Sequence, residues 1–130
     1  MRIINLIDNE AGKTECSFEH GLSFYIETTK HKLLVDFGPS KDFITNAKLL
    51  GVDLKNVDIA FLSHGHYDHS GGIIPFSELN DHSPIYMQKS VSNDYYSEKE
   101  GGLKYIGIDK EITSLNQVKI IEGDLTIDDE

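Results

Sequence analysis

From Asp58 the chain runs through a short apolar stretch, Ile59-Ala60-Phe61-Leu62-Ser63, straight into His64-Gly65-His66-Tyr67-Asp68-His69-Ser70-Gly71-Gly72. No other stretch constrains the fold so tightly. A short apolar run bounded by turn residues reads as a strand buried on both faces. Three of the six histidines and an aspartate then follow within six residues. Side chains at the carboxyl end of a buried strand stand on a rigid base, where open α/β sheets build their sites. Neutral imidazoles and a carboxylate suit Zn²⁺, iron or Mn²⁺ without singling one out. Alternate residues of an extended segment project to the same side, so His64 and His66 can grip one ion together. Asp68 and His69 lie past a bend, from which they can turn toward a second ion. Beyond Gly72, residues Ile73, Ile74, Phe76 and Leu79 predict a short helix, with Pro75 tolerated in its first turn. The partial positive charge of that N-terminus favours an anionic substrate or oxyanion.

The remaining elements are read from periodicity. Ile3 to Ile7 predicts a strand, and the polar stretch from Asp8 to Glu19 a loop. Leu22, Phe24 and Ile26 alternate with polar or amphipathic residues, the period of a half-buried strand. Thr28 to His31 turns the chain into Leu33-Leu34-Val35, so residues 22–38 predict a hairpin that ends at Asp36-Phe37-Gly38. Pro39-Ser40 opens a helix with Phe43, Ala47 and Leu50 on one face and Gly51 at its stop. Ile85-Tyr86-Met87, Tyr105-Ile106 and Val118 to Ile121 predict further strands, and the polar segment Ser90 to Gly102 a helix or a mobile loop. This order predicts an α/β chain with a mixed sheet and helices packed on it.

Composition narrows the function classes. At 130 residues the chain is one small domain, and 38% hydrophobic with 26% charged residues is a globular mixture. No apolar run approaches the roughly 18 residues of a membrane span. The start, MRIINLIDNE, reaches Asp8 too early for a signal-peptide apolar region. A single cysteine, Cys16, excludes an internal disulfide and predicts a cytoplasmic protein. It lacks basic neighbours that would activate a thiolate and is assigned no function. Twelve Lys and Arg against 22 Asp and Glu give a net charge of −10. That charge disfavours nucleic acid or an anionic membrane as partner and suits cations. The acidic tail from Asp124 to Glu130 is expected to be a solvated end.

His64-Gly65-His66-Tyr67-Asp68-His69 with Gly71-Gly72 closely resembles the HxHxDH signature of the metallo-β-lactamase superfamily. Glu19-His20-Gly21-Leu22-Ser23 and Leu34-Val35-Asp36-Phe37-Gly38 resemble the hairpin before that signature in the subgroup of dihydropterin-ribofuranosylaminobenzene phosphate synthase-like proteins. The resemblance extends from residue 1 to about residue 88. It implies half of an αββα sandwich, a mixed β-sheet with helices on one face, carried on residues 1–130 as one truncated domain. It implies one or two divalent metal ions, zinc foremost, with iron or manganese also compatible. His64 and His66 would bind the first ion, Asp68 and His69 the second. Asp36 would orient a ligand by hydrogen bonding. A bridging water would be the nucleophile, and Asp68 would also hold or accept a proton. The default reaction is hydrolysis of an ester, thioester, lactone, phosphoester or amide in a small-molecule substrate. His20 is read as a loop histidine with a place near the metal rim or in substrate contact as its alternative. Tyr67 either lines the substrate entrance or packs on its loop.

The superfamily also takes ligands from later in the chain, and here no histidine follows His82. His82 stands only thirteen residues past His69 and is expected at the surface, as is His31 in the hairpin turn. Asp124 after Gly123 is read as a turn residue. Tyr95-Tyr96 is read equally as a pocket lid or as partial packing. Three explanations remain open: a fragment of a longer enzyme, a chain that pairs with itself or with a separate second half, or a half-domain that binds metal weakly and acts through oligomerisation. Redox use of a di-iron centre is a weaker option, because nothing resembles the flavin module that accompanies it.

Overall fold

A computed structural model describes residues 1–130. Six strands form one mixed sheet: β1 (Arg2–Ile7), β2 (Ser23–Glu27), β3 (Lys32–Val35), β4 (Ile59–Leu62), β5 (Ile85–Gln88) and β8 (Val118–Ile121), side by side in that order. The first three pair antiparallel, β1 reaching β2 through the long loop 8–22 and β2 reaching β3 through the short turn 28–31. From β3 onward the pairing is parallel. Parallel neighbours need crossovers, and the chain supplies helix α1 (Asp42–Leu49) before β4, then α2 (Tyr67–Ser70) and α3 (Ile73–Leu79) before β5. The mixed α/β architecture expected above is the one observed.

Register assigns the sheet's two faces. Ile4, Tyr25, Leu34, Ala60 and Ile85 are paired across five strands, and all but the partly covered Ile4 are buried. Phe43 and Ala47 of α1 and Ile73 and Phe76 of α3 join them in one core. The neighbouring row, Phe24, Val35, Phe61 and Tyr86, turns to the other face and is only half-buried. Phe61 and Tyr86 stack there at 5.9 Å between ring centroids. The strand 59–62 was expected to be buried on both faces; Ile59, Ala60 and Leu62 are buried, and only Phe61 is left half-buried on the less covered face. Hydropathy registers what a side chain is, and here one apolar row is only partly covered.

The segment Ser90 to Gly102 is neither a helix nor a featureless loop. A 3₁₀ turn at Lys89–Ser92 leads into a separate two-stranded hairpin, β6 (Tyr96–Lys99) and β7 (Gly102–Tyr105), turning on Gly101 and Gly102 at positive φ. Tyr96 and Tyr105 pair across it at 5.6 Å. Polar residues cover a hairpin that lies outside the main sheet, so its pattern has no apolar period to detect.

The acidic tail is exposed along its length, as expected of a solvated end, whereas His31, expected at the surface, is only partly exposed. The tail folds back on the β2–β3 turn: Glu130 accepts from the Thr28 and Thr29 hydroxyls, and Asp129 pairs with Lys30. His31 is held between carboxylates, Nε2 at 2.6 Å from Asp128 and Nδ1 at 3.1 Å from Asp58, and its side chain is only 23% exposed. Opposite charge on the turn draws the tail down. The Asp128 contact, with Asp58 adding to it, raises the His31 pKa above its ordinary 6.5, and the His31 contact depresses that of Asp128 below 3.8. A raised histidine stabilises docking fully below 6.5 and loses that contribution as pH rises through its folded value. A depressed aspartate does the reverse, and its contribution fades as pH falls below 3.8 toward its folded value. The tail should thus be docked between these limits and released on either side. Amide signals of Asp128 to Glu130 followed against pH should move in step with the His31 ring; pH-independent tail signals would contradict this.

Candidate metal centre

The site is assembled at the carboxyl ends of β3 and β4. After β3 the backbone turns through Asp36, whose φ of 59° lies in the left-handed region. Aspartate tolerates that conformation better than most residues, and strain of this kind collects at functional sites. Phe37, fully buried against Phe43 and Phe76 at 6.2 and 5.5 Å, pins the turn from beneath. The loop after β4 is laced to the same turn: Phe37 N–H donates to the His69 carbonyl at 2.8 Å, and Gly72 N–H to the Gly38 carbonyl at 3.3 Å. A Cβ at Gly71 would run into the Pro39 carbonyl, so the two segments meet this closely only because the residue is glycine.

Between His66 and Gly71 the chain makes a single helical turn, α2, closed by bonds from the Ser70 and Gly71 amides to the His66 and Tyr67 carbonyls. That turn swings Asp68 and His69 back over His64. Ligand atoms of His64, Asp68 and His69 all lie within 4.8 Å of one another. The imidazoles of His64 and His69 are 4.2 Å apart between centroids. His66 stands at 4.5 Å from His64 between ring centroids, edge to face. The grouping thus differs from the expected pairing of His64 with His66 and Asp68 with His69. The tight set takes one residue of the first pair and both of the second, because the bend before Asp68 and His69 is a helical turn that carries them back toward His64.

Around these ligands lie residues that fix their orientation. Asp36, 2% exposed, accepts from Ser63 N–H through Oδ1 at 2.7 Å. Its Oδ2 accepts from the Ser63 hydroxyl and from His69 Nδ1, each at 2.7 Å. The hydrogen bond that His69 donates to Asp36 raises the His69 pKa. Burial first, then the nearby His69 and His66, hold the His64 pKa below its ordinary value. His20 reaches the site from the loop before β2, Nε2 at 3.3 Å from Asp68 Oδ2, although its own side chain is largely exposed. Asn9 sets it there. The Asn9 carbonyl oxygen accepts from Gly21 N–H at 2.9 Å, which leaves the amide nitrogen to donate to His20 Nδ1 at 3.2 Å. His20 therefore carries its proton on Nε2, toward Asp68. Tyr67 is exposed, with Lys104 Nζ 5.6 Å from its ring centre. Tyr95 packs its ring 5.2 Å from His66, and His82 lies at the surface. Asp124 is exposed and distant in sequence from every residue of this cluster.

Sequence reasoning missed Ser63, Asn9 and the contact of Tyr95 with His66. Ser63 directly precedes the histidines, and its hydroxyl was the one available signal. Asn9 and Tyr95 sit in polar stretches with no local mark.

The donor chemistry, two imidazoles and a carboxylate converging on one point, suits a divalent cation. The profile of the metallo-beta-lactamase superfamily matches residues 17–130. The chain belongs to the metallo-beta-lactamase superfamily. Among superfamily relatives it is 33% identical over 98 residues to the 7,8-dihydropterin-6-methyl-4-(beta-D-ribofuranosyl)-aminobenzene-5'-phosphate synthase of Methanocaldococcus jannaschii, covering 70% of this chain and 33% of that protein. It is 30% identical over 100 residues to a metal-dependent hydrolase of Pyrococcus furiosus, covering 77% of this chain and 42% of that one. The crystal structure of a metal-dependent hydrolase of the beta-lactamase superfamily superposes with a TM-score of 0.72 and 30% identity over 92% of this chain and 41% of that chain. The chain thus spans between a third and somewhat over two-fifths of the length of these relatives. No helix is long and apolar enough to cross a membrane.

Proposed function

We propose that this chain carries the opening ligands of a metal-dependent hydrolase, with His64, His66, Asp68 and His69 holding one or two divalent ions, zinc foremost. The observation that carries this reading is the convergence of His64, Asp68 and His69 donor atoms within 4.8 Å at the ends of two parallel strands. A divalent cation bound there supplies Lewis acidity and lowers the pKa of water toward neutrality. The chain's own residues do the rest. Asp36 orients His69, Asp68 holds or accepts a proton in turnover, and His20 and Tyr67 stand where a small-molecule substrate would enter. Hydrolysis of an ester, thioester, lactone or phosphoester follows from that chemistry. The single thiol, Cys16, fits a cytoplasmic setting.

The half-covered row of Phe24, Val35, Phe61 and Tyr86 supports a second reading, a half-domain that is completed by a second copy or by a separate C-terminal half, binds metal weakly and is not itself catalytic. Elemental analysis of the purified chain, its mass in solution and its turnover of generic esters and phosphoesters separate the two. One or two zinc ions per chain with zinc-dependent turnover supports the hydrolase. Metal-poor, inactive oligomers support the half-domain and overturn the first reading.

A further inference from the structure

We infer that Ser63 is a positioning residue: its hydroxyl relays the orienting effect of the buried Asp36 to His64, so that one carboxylate sets the tautomer of both metal-facing histidines. The inference deepens the metal reading above and rests on it for its consequence, although not for its geometry.

The bonding admits a single proton arrangement. The Ser63 hydroxyl lies 2.7 Å from Asp36 Oδ2 and 2.8 Å from His64 Nδ1. A hydroxyl has one proton to give, and a carboxylate has none. The short contact to Asp36 is attractive only when Ser63 donates to it. Ser63 Oγ must then accept at its other contact, and the donor there is His64 Nδ1–H. His69 reaches the same Asp36 oxygen directly, Nδ1 to Oδ2 at 2.7 Å, and it too donates. In its neutral form each ring then carries its proton on Nδ1 and leaves Nε2 as the lone pair that a metal requires. Two histidines five positions apart are served by one acceptor.

This is not a contact that the backbone would make unaided. Adjacent residues of an extended strand point to opposite faces. The Ser63 hydroxyl and the ring of the next residue meet only because β4 ends at Leu62 and the chain bends there. Ser63 N–H donates to Asp36 Oδ1, so the same carboxylate holds the bend and receives the hydroxyl. Without the hydroxyl, His64 Nδ1 has no acceptor and the ring is free to place its proton on Nε2. Metal binding must then displace that tautomer. Loss of such outer hydrogen bonds costs about 10- to 100-fold in metal affinity in comparable sites.

Tautomers are read directly from ring ¹⁵N shifts and long-range ¹H–¹⁵N couplings in the metal-free full chain, at a pH where the imidazoles are neutral. His64 and His69 of the parent chain should both be protonated on Nδ1. Ser63→Ala should move His64 toward the Nε2–H form, leave His69 unchanged and lower zinc affinity about 10- to 100-fold in chelator competition. Ser63→Thr, which keeps the hydroxyl, should restore both. An Nε2–H His64 in the parent chain, or an unchanged His64 in a folded Ser63→Ala chain, overturns the relay. A parent chain with the expected tautomers that binds no zinc leaves the relay standing and refutes the metal reading instead. Should Ser63→Ala fail to fold, the parent spectrum and Ser63→Thr still decide the matter.

Discussion

Replacing His64 and His69 together by alanine should lower zinc affinity about 10⁴-fold. Zinc held by four protein ligands is bound by roughly 10–16 kcal/mol, which apportions to about 3 kcal/mol for each ligand. Two ligands lost therefore remove about 6 kcal/mol, or some four decades in the dissociation constant. Asp68 remains with His66, which stands beside His64 but outside the tight three-residue set. His66→Ala alone should accordingly cost less than either His64→Ala or His69→Ala. Competition against a chromophoric chelator measures all four chains, with His82→Ala as an exposed control that should match the parent. An unchanged metal content in the double variant would remove the basis for the proposed function. A larger loss at His66 than at His64 would instead favour the pairing expected from an extended segment.

The second large effect concerns the metal-free protein. Asp36→Ala should destabilise the fold by about 3–5 kcal/mol, the range for removing one member of a buried charged network. For a chain of this size that corresponds to a fall of roughly 10–20 °C in melting temperature. The carboxylate is 2% exposed and accepts from the Ser63 amide, the Ser63 hydroxyl and His69. Its removal orphans all three donors and loosens the turn that Phe37 anchors. Asp36→Asn should cost less, because its carbonyl can still take the Ser63 amide. Its NH₂ group would face His69 Nδ1–H, donor against donor, and drive His69 to the other tautomer, while the Ser63 hydroxyl could turn to accept from it. Calorimetry without added metal separates this loss from any loss of binding energy. Asp36→Ala melting within a degree or two of the parent would show that the network does not hold the fold.

Much of this architecture was legible in the amino-acid pattern. The hairpin of residues 22–38, the helices after Pro39 and Gly72 and the strands near 3, 59, 85 and 118 follow from periods of two and 3.6 and from their stop residues. The 96–105 hairpin was not legible, because a two-stranded ribbon apart from the main sheet buries too little to impose an alternation. The tail is exposed, as its charge implies, but its contacts with the β2–β3 turn were not legible for a related reason: a run of carboxylates looks the same whether water alone or a lysine and a histidine face it.

By itself the sequence determined the candidate metal-ligand residue types, their attachment to the end of a strand and the class of fold that presents them. Those are properties of local order, carried by spacing along a few residues. Only the tertiary structure decided which ligands converge. A single helical turn at residues 67–70 set that grouping, and the left-handed turn at Asp36 brought an acceptor from 27 residues before Ser63 and 33 before His69. It likewise decided that Asn9 and His20 reach Asp68 and that Tyr95 reaches His66. Hydrogen bonds between segments so far apart leave no periodic trace in the chain. They exist only once the core beneath Phe37 has closed.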